Sequence, residues 1–139
     1  MPGIEGRKTD GRCHLRSKEE DRLNRRTVGS EQERVAAAFL IVQGYEIRQM
    51  NFRCRSGEID IVASEGRYLV FVEVKYRSSG SAGDPLEAVG KKKQRQISRT
   101  ASVYLHLHGL SGDTPCRFDV VGITGAGHVR LVRNAFDYC

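Results

Sequence analysis

What this 139-residue chain lacks narrows its biology first. No apolar run approaches the ~20 residues that a membrane-spanning helix needs, so no membrane role is expected. The first residues carry no apolar core of the secretory kind, and the expected location is the cytoplasm. The four cysteines, Cys13, Cys54, Cys116 and Cys139, lie far apart, which leaves no CxxC redox pair or zinc knuckle. His106 and His108 add no zinc-ligand spacing. Free thiols in a reducing compartment are the simpler expectation. No internal repeat is present.

What is there is charge. Lys and Arg number 23 against 17 Asp and Glu, giving a net charge of +6 and a pI of about 9.4. A surplus of this size points towards a polyanionic partner, usually nucleic acid. With 39% hydrophobic and 29% charged residues, the chain has the balance of a globular domain. Residues 1–27 differ: eight Lys/Arg, five Asp/Glu and almost no apolar side chains. They cannot bury enough surface to offset ordering, so a flexible basic arm is expected there. The domain proper is expected over 28–139.

Along that domain "SEQERVAAAFLIVQGY" predicts a helix. Ser30 and Glu33 have capping-box spacing. Val35, Phe39 and Val42 recur at helical intervals, and Gly44 is placed to end the helix. Strands are predicted over "YEIRQMNFRCR", 58–64 and 68–76. "RSSGSAGDP" is a Gly/Ser-rich loop. Asp84-Pro85-Leu86-Glu87 then starts a second helix expected to run through His108. "CRFDVVGIT" and "HVRLVR" are the last two strands, with "GAG" between them. The fold class is α/β (α+β): about five strands in a central mixed sheet, flanked by helices.

Two strands carry acids where core is expected. Side chains alternate along a strand, so Phe71, Glu73 and Lys75 share one face and Val70, Val72, Val74 and Tyr76 the other. Glu58, Asp60 and Val62 share a face of the preceding strand, and Ile59 and Ile61 the opposite one. Gly66-Arg67 suits a two-residue type II′ turn. Pairing Glu65 with Tyr68 then sets Asp60 across from Glu73, and Glu58 across from Lys75. Directly opposed carboxylates repel. A divalent cation, Mg²⁺ or Mn²⁺, would relieve them, with the Val74 carbonyl as a further ligand. Lys75 would then orient a bound water or stabilise charge on a phosphate. Glu-x-Lys alone has little weight, because at ~6% usage for each residue about one chain in two of this length contains it by chance. The matching Asp60 one hairpin earlier gives the pattern its force. The bland alternative is a cross-strand ion network.

The blocks "SGEIDIVA", "LVFVEVKYR", "DPLEAV", "KKKQR" and "RFDVV" together resemble the YraN-like family of bacterial proteins, over about residues 28–138. That family is similar to the restriction-endonuclease-like PD-(D/E)XK superfamily and to archaeal Holliday-junction resolvases. The resemblance implies that Asp60 is the motif aspartate, that Glu73 and Lys75 form the E-x-K, and that Glu33 joins the metal site from the first helix. Ile59 stands where a proline often precedes the aspartate, and Gln32 where a glycine often precedes the glutamate. Glu33 keeps its other reading as the capping-box residue. The expected function is a metal-dependent nuclease acting on DNA, branched DNA included, in recombination or DNA processing. Arg53, Arg55, Arg77, Lys92, Lys93, Arg95 and Arg99 would contact nucleic acid, and a homodimer would supply two sites. The alternatives are a binding protein with a vestigial nuclease fold, or a scaffold for recombination partners.

Overall fold

The computed structural model describes residues 31–77, 89–125 and 127–138. The basic arm, Ser30, the loop from Ser78 and the Asp84–Glu87 helix start lie outside these residues. A first helix, α1, covers 31–42. Three strands follow: β1 (Glu46–Cys54), β2 (Gly57–Glu65) and β3 (Tyr68–Arg77). A second helix, α2 (Lys91–Leu107), leads to β4 (Cys116–Thr124) and β5 (Val129–Phe136). The strands lie in chain order in one sheet, β3 parallel to β4 and the other neighbours antiparallel. A parallel pair needs a crossover, and α2 lies in that connection. Each helix covers one face. Ile97, Ala101, Tyr104 and Leu105 of α2 pack with Phe52, Ile59, Phe71 and Phe118. Ala36 and Leu40 of α1 pack with Ile61, Val70, Val72 and Val121. The expected mixed five-stranded sheet between helices is what the chain forms.

α1 ends as its sequence predicts. Gly44 has φ +101°, and the Tyr45 N–H donates to the Leu40 carbonyl at 2.9 Å, closing the last turn. The buried stripe differs from expectation. Ala36 and Leu40 are buried, whereas Val35 and Val42 are 45% and 81% exposed. The run Val35–Val42 is apolar all round, so periodicity selects no face; the short alanine side is the one that approaches the sheet. α2 also departs from expectation. It does not run through Gly90, whose extended backbone is the N-cap, and it begins at Lys91. Glycine has little preference for a helix interior and starts the helix here instead.

The β2–β3 hairpin follows the predicted register from Glu65↔Tyr68 to Ile61↔Val72. Gly66 has φ +59° and Arg67 is not left-handed, as a type II′ turn requires. Beyond Ile61↔Val72 the prediction fails in two respects. Ile59 and Ile61 do not share a face: Ile59 joins the α2-side core and Ile61 the α1-side core. In β1, Phe52 and Met50 divide between the same two cores. The cause lies between the pairs Met50↔Ile61 and Phe52↔Ile59, where Asn51 takes φ +55° and turns the pleat over. Glu58 pairs with Arg53 of β1 rather than with Lys75.

A second charged cluster stabilises the fold. Asp119 is fully buried on β4. It accepts the Tyr45 hydroxyl at 2.6 Å, Arg117 Nε at 2.9 Å and the Asn134 N–H at 2.9 Å. Arg117 and Arg133 both bond Glu65. Every buried acceptor and donor here has a partner, which a buried charge requires.

Candidate active site

Asp60 stands on β2 at the level where the pleat turns over. The β2–β3 ladder stops one residue before it, and its side chain replaces the missing backbone bond: Asp60 Oδ2 accepts the Val74 N–H at 2.8 Å. Glu73, two residues after Phe71, faces the same side of the sheet as α2 and is 7% exposed. The two carboxyl groups are close enough for the charge of Glu73 to act strongly on Asp60. Burial, then the Glu73 charge, pushes the Asp60 carboxyl well above the ordinary carboxylate range; the Val74 N–H works the other way. Two carboxylates about 4 Å apart repel by roughly 4 kcal/mol at an effective dielectric near 20. The pair therefore holds a proton or attracts a cation.

Lys75 Nζ lies 3.5 Å from Glu73 Oε2. Lys93 Nζ, from the first turn of α2, lies 3.8 Å from the same oxygen. Sequence reasoning placed Lys93 among nucleic-acid contacts and missed this position. The signal was available: Lys93 precedes the buried Ile97 by four residues and Ala101 by eight, so it belongs to the face that α2 turns to the sheet. Glu33 of α1 reaches the same group. Burial raises its carboxyl above the usual range, against the opposing influence of Asn51 and Asp60. Asn51 was also missed; an asparagine inside an alternating strand is the signal for a left-handed backbone.

The acids meet in series, Glu33 to Asp60 to Glu73. Among the described residues, however, no three His, Cys, Asp or Glu side chains make a group able to hold a metal ion. What is formed is a carboxylate pair, Asp60 and Glu73, with lysines beside it. Such a pair fits Mg²⁺, which commonly takes one or two carboxylates and completes its shell with water and substrate phosphate. The Val74 N–H is committed to Asp60.

The remaining basic residues spread outward. Arg53, Arg55, Arg77, Lys92, Arg95 and Arg99 are all exposed, and Arg53 is paired with Glu58. Lys92, Arg95 and Arg99 stand on the outer side of α2, away from the buried Ile97 and Ala101.

The model of a family described as "Uncharacterised protein family UPF0102" matches residues 32–123. The chain belongs to UPF0102. A UPF0102 protein of Lachnoclostridium phytofermentans is 51% identical over 115 residues, covering 83% of this chain and 97% of its own. Another, from Symbiobacterium thermophilum, is 50% identical over 115 residues, 80% of this chain and 97% of the relative. A third, from Geobacter metallireducens, is 45% identical over 118 residues, 83% and 96% of the two chains. The resemblance to YraN-like proteins is thus upheld at the level of the family. The UPF0102 match contains Glu33, Asn51, Asp60, Glu73, Lys75 and Lys93, so the whole candidate site lies inside the family's shared segment. No helix among the described residues is long and apolar enough to cross a membrane.

Proposed function

We propose that this UPF0102 protein is a metal-dependent nuclease that hydrolyses DNA phosphodiester bonds. The observation that carries the proposal is the placement of Asp60, held by the Val74 N–H at 2.8 Å beside the buried Glu73, with Lys75 Nζ 3.5 Å from Glu73. The resemblance to restriction-endonuclease-like proteins supports the same assignment. Asp60 and Glu73 would hold Mg²⁺ or Mn²⁺, with Glu33 of α1 joining them from beside Asp60. The ion would supply Lewis acidity and an activated water. The chain's own residues do the rest. The Val74 N–H fixes one Asp60 oxygen. Glu73 anchors the Lys75 ammonium, which positions the attacking water and stabilises charge gathering on the phosphate oxygens. Water oxygen bonds to phosphorus as the bond to the leaving oxygen breaks.

DNA is favoured as partner by the +6 charge and by the exposed Lys92, Arg95 and Arg99 on α2. Cutting both strands of a duplex or a junction takes two such sites, and a homodimer would provide them; sedimentation with and without four-way DNA tests this. A second reading has its own observation. Two lysines already neutralise Glu73, which suits a binding protein on a vestigial nuclease fold. The deciding experiment is cleavage of single-stranded, duplex, flap and four-way DNA with Mn²⁺. Cleavage abolished by Asp60→Ala and by Lys75→Ala is expected. Binding without cleavage of any form selects the vestigial fold. Cleavage unchanged by Lys75→Ala marks a contaminant.

A further inference from the structure

We propose that Lys93 is a second active-site lysine, delivered by α2 to contact the substrate phosphate opposite Lys75; this rests on the nuclease reading above. Two ammonium groups from different elements converge on one carboxylate oxygen, Glu73 Oε2, at 3.5 Å and 3.8 Å. One lysine is enough to neutralise one buried carboxylate. The two lysines match Asp60 and Glu73 when both are ionised, so a cation held by that pair would leave a positive excess for the phosphodiester, with its single negative charge, to balance.

The placement of Lys93 is held by the packing of its helix. Ile97, one turn further, is 3% exposed in the core. Gln96 lies against the backbone of Gly57, three residues before Asp60; a Cβ on Gly57 would stand 2.6 Å from Gln96 Nε2. Gly57 also has φ +148°, so a side chain is disfavoured there twice over. The first turns of α2 are therefore pressed onto the start of β2, which fixes the Lys93 Cα relative to both carboxylates. Its neighbours Lys91 and Lys92 are exposed. Among the described residues Lys93 alone of the three reaches an acid, and its side chain is still 40% exposed. It is anchored by the carboxylate yet open to an incoming anion. At 3.8 Å the pair is longer than a good charge-assisted hydrogen bond, so Lys93 can give up Glu73 for a phosphate oxygen when the Glu73 charge is drawn to a cation.

The full-length protein is tested as Lys93→Ala and Lys93→Gln beside wild type, on whichever DNA form wild type cuts. Single-turnover cleavage should fall about 10²-fold in both variants, as for loss of one preorganised donor to developing charge. Lys93→Arg should recover most of that loss. Mn²⁺ affinity by calorimetry, which does not depend on turnover, should stay equal to wild type or tighten, because a positive charge leaves Glu73. A purely structural counter-ion would give another pattern: lowered melting temperature, weakened Mn²⁺ binding and no rescue by arginine. That pattern, or wild-type cleavage in Lys93→Gln, overturns the role of Lys93 while leaving the nuclease reading intact. If wild type cuts no DNA form, the nuclease reading falls and Lys93 falls with it.

Discussion

Asp60 ties the chemistry of the site to the stability of the fold. Burial and the neighbouring Glu73 charge raise its pKa in the folded chain above the unfolded value. Its contribution to stability is then full below about pH 4 and is lost as pH rises through the raised value. Asp60→Asn removes a charge that the fold resists. It should therefore melt higher than wild type at pH 8.5, with the difference vanishing at pH 4. Relief of ~1 kcal/mol corresponds to roughly 4–8 °C for a small domain. Mn²⁺ should raise the wild-type melting temperature more at pH 8 than at pH 6, and should leave Asp60→Asn unmoved. Scanning calorimetry across pH with and without Mn²⁺ measures all three. An Asp60→Asn protein that melts below wild type at pH 8.5 would contradict the assignment. At this scale the sequence was informative about which residues mattered and less so about their contacts. Strand parity held from Glu65 to Ile61 and broke at Asp60, where the left-handed Asn51 turns the pleat over. Lys93 and Asn51 were not read. One needed a helix face and the other a single left-handed backbone, and neither follows from strand alternation.

α2 begins against the usual rules. Its first turn has three lysines and no acid, and Gly90 offers no side-chain cap. The partial positive charge at a helix N-terminus makes lysines there unfavourable. Replacing Lys91 and Lys92 by Glu should thus stabilise the protein by ~0.3–1 kcal/mol each in low salt, read from urea unfolding. The same change should weaken DNA binding, and each lost phosphate contact should lower the salt slope of log K by about 0.9 on duplex. Stability and affinity moving together would count against a nucleic-acid role for this turn. β4 shows the opposite economy, with every charge matched. Burial works against the charge of Glu65, and hydrogen bonds from Arg133 and then Arg117 more than offset it, holding its carboxyl below the usual range. Asp119→Ala would leave Arg117 without its main partner in a largely buried position. A loss of about 3–5 kcal/mol is expected, against less than 1 kcal/mol for breaking the exposed Arg53–Glu58 pair. Element boundaries were legible where turn chemistry speaks plainly, at Gly66-Arg67 and at Gly44. The face of α1 was not, because Val35–Val42 is apolar on every side and only the sheet decides which side is covered.

At the scale of the whole molecule, a chain with a net charge of +6 carries a small acidic site, Asp60 and Glu73. In the proposed function a polyanion would be drawn to the surface by long-range attraction, while the acids would reserve one point for a cation. Association with DNA should therefore slow steeply with salt, whereas Mn²⁺ affinity at the half-buried Asp60 and buried Glu73 should change much less. Stopped-flow binding and calorimetry at two salt concentrations separate the two; parallel salt dependence would mean that the metal sits on the surface.

The parallel pairing of β3 with β4 also sets an order of events. β1, β2 and β3 are joined by short turns, but from Arg77 to Cys116 the chain must travel through α2 before β4 can dock. Closing that span is slower than closing a hairpin. The meander that carries both Asp60 and Glu73 is thus expected to form first, leaving the two acids face to face before Lys93 arrives. In refolding, conservative changes in β2 and β3 should slow folding, and changes in β4 and β5 should mainly speed unfolding. Divalent ions should then accelerate the folding of wild type and not of Asp60→Asn, because they quieten a repulsion that the newly made hairpin meets alone.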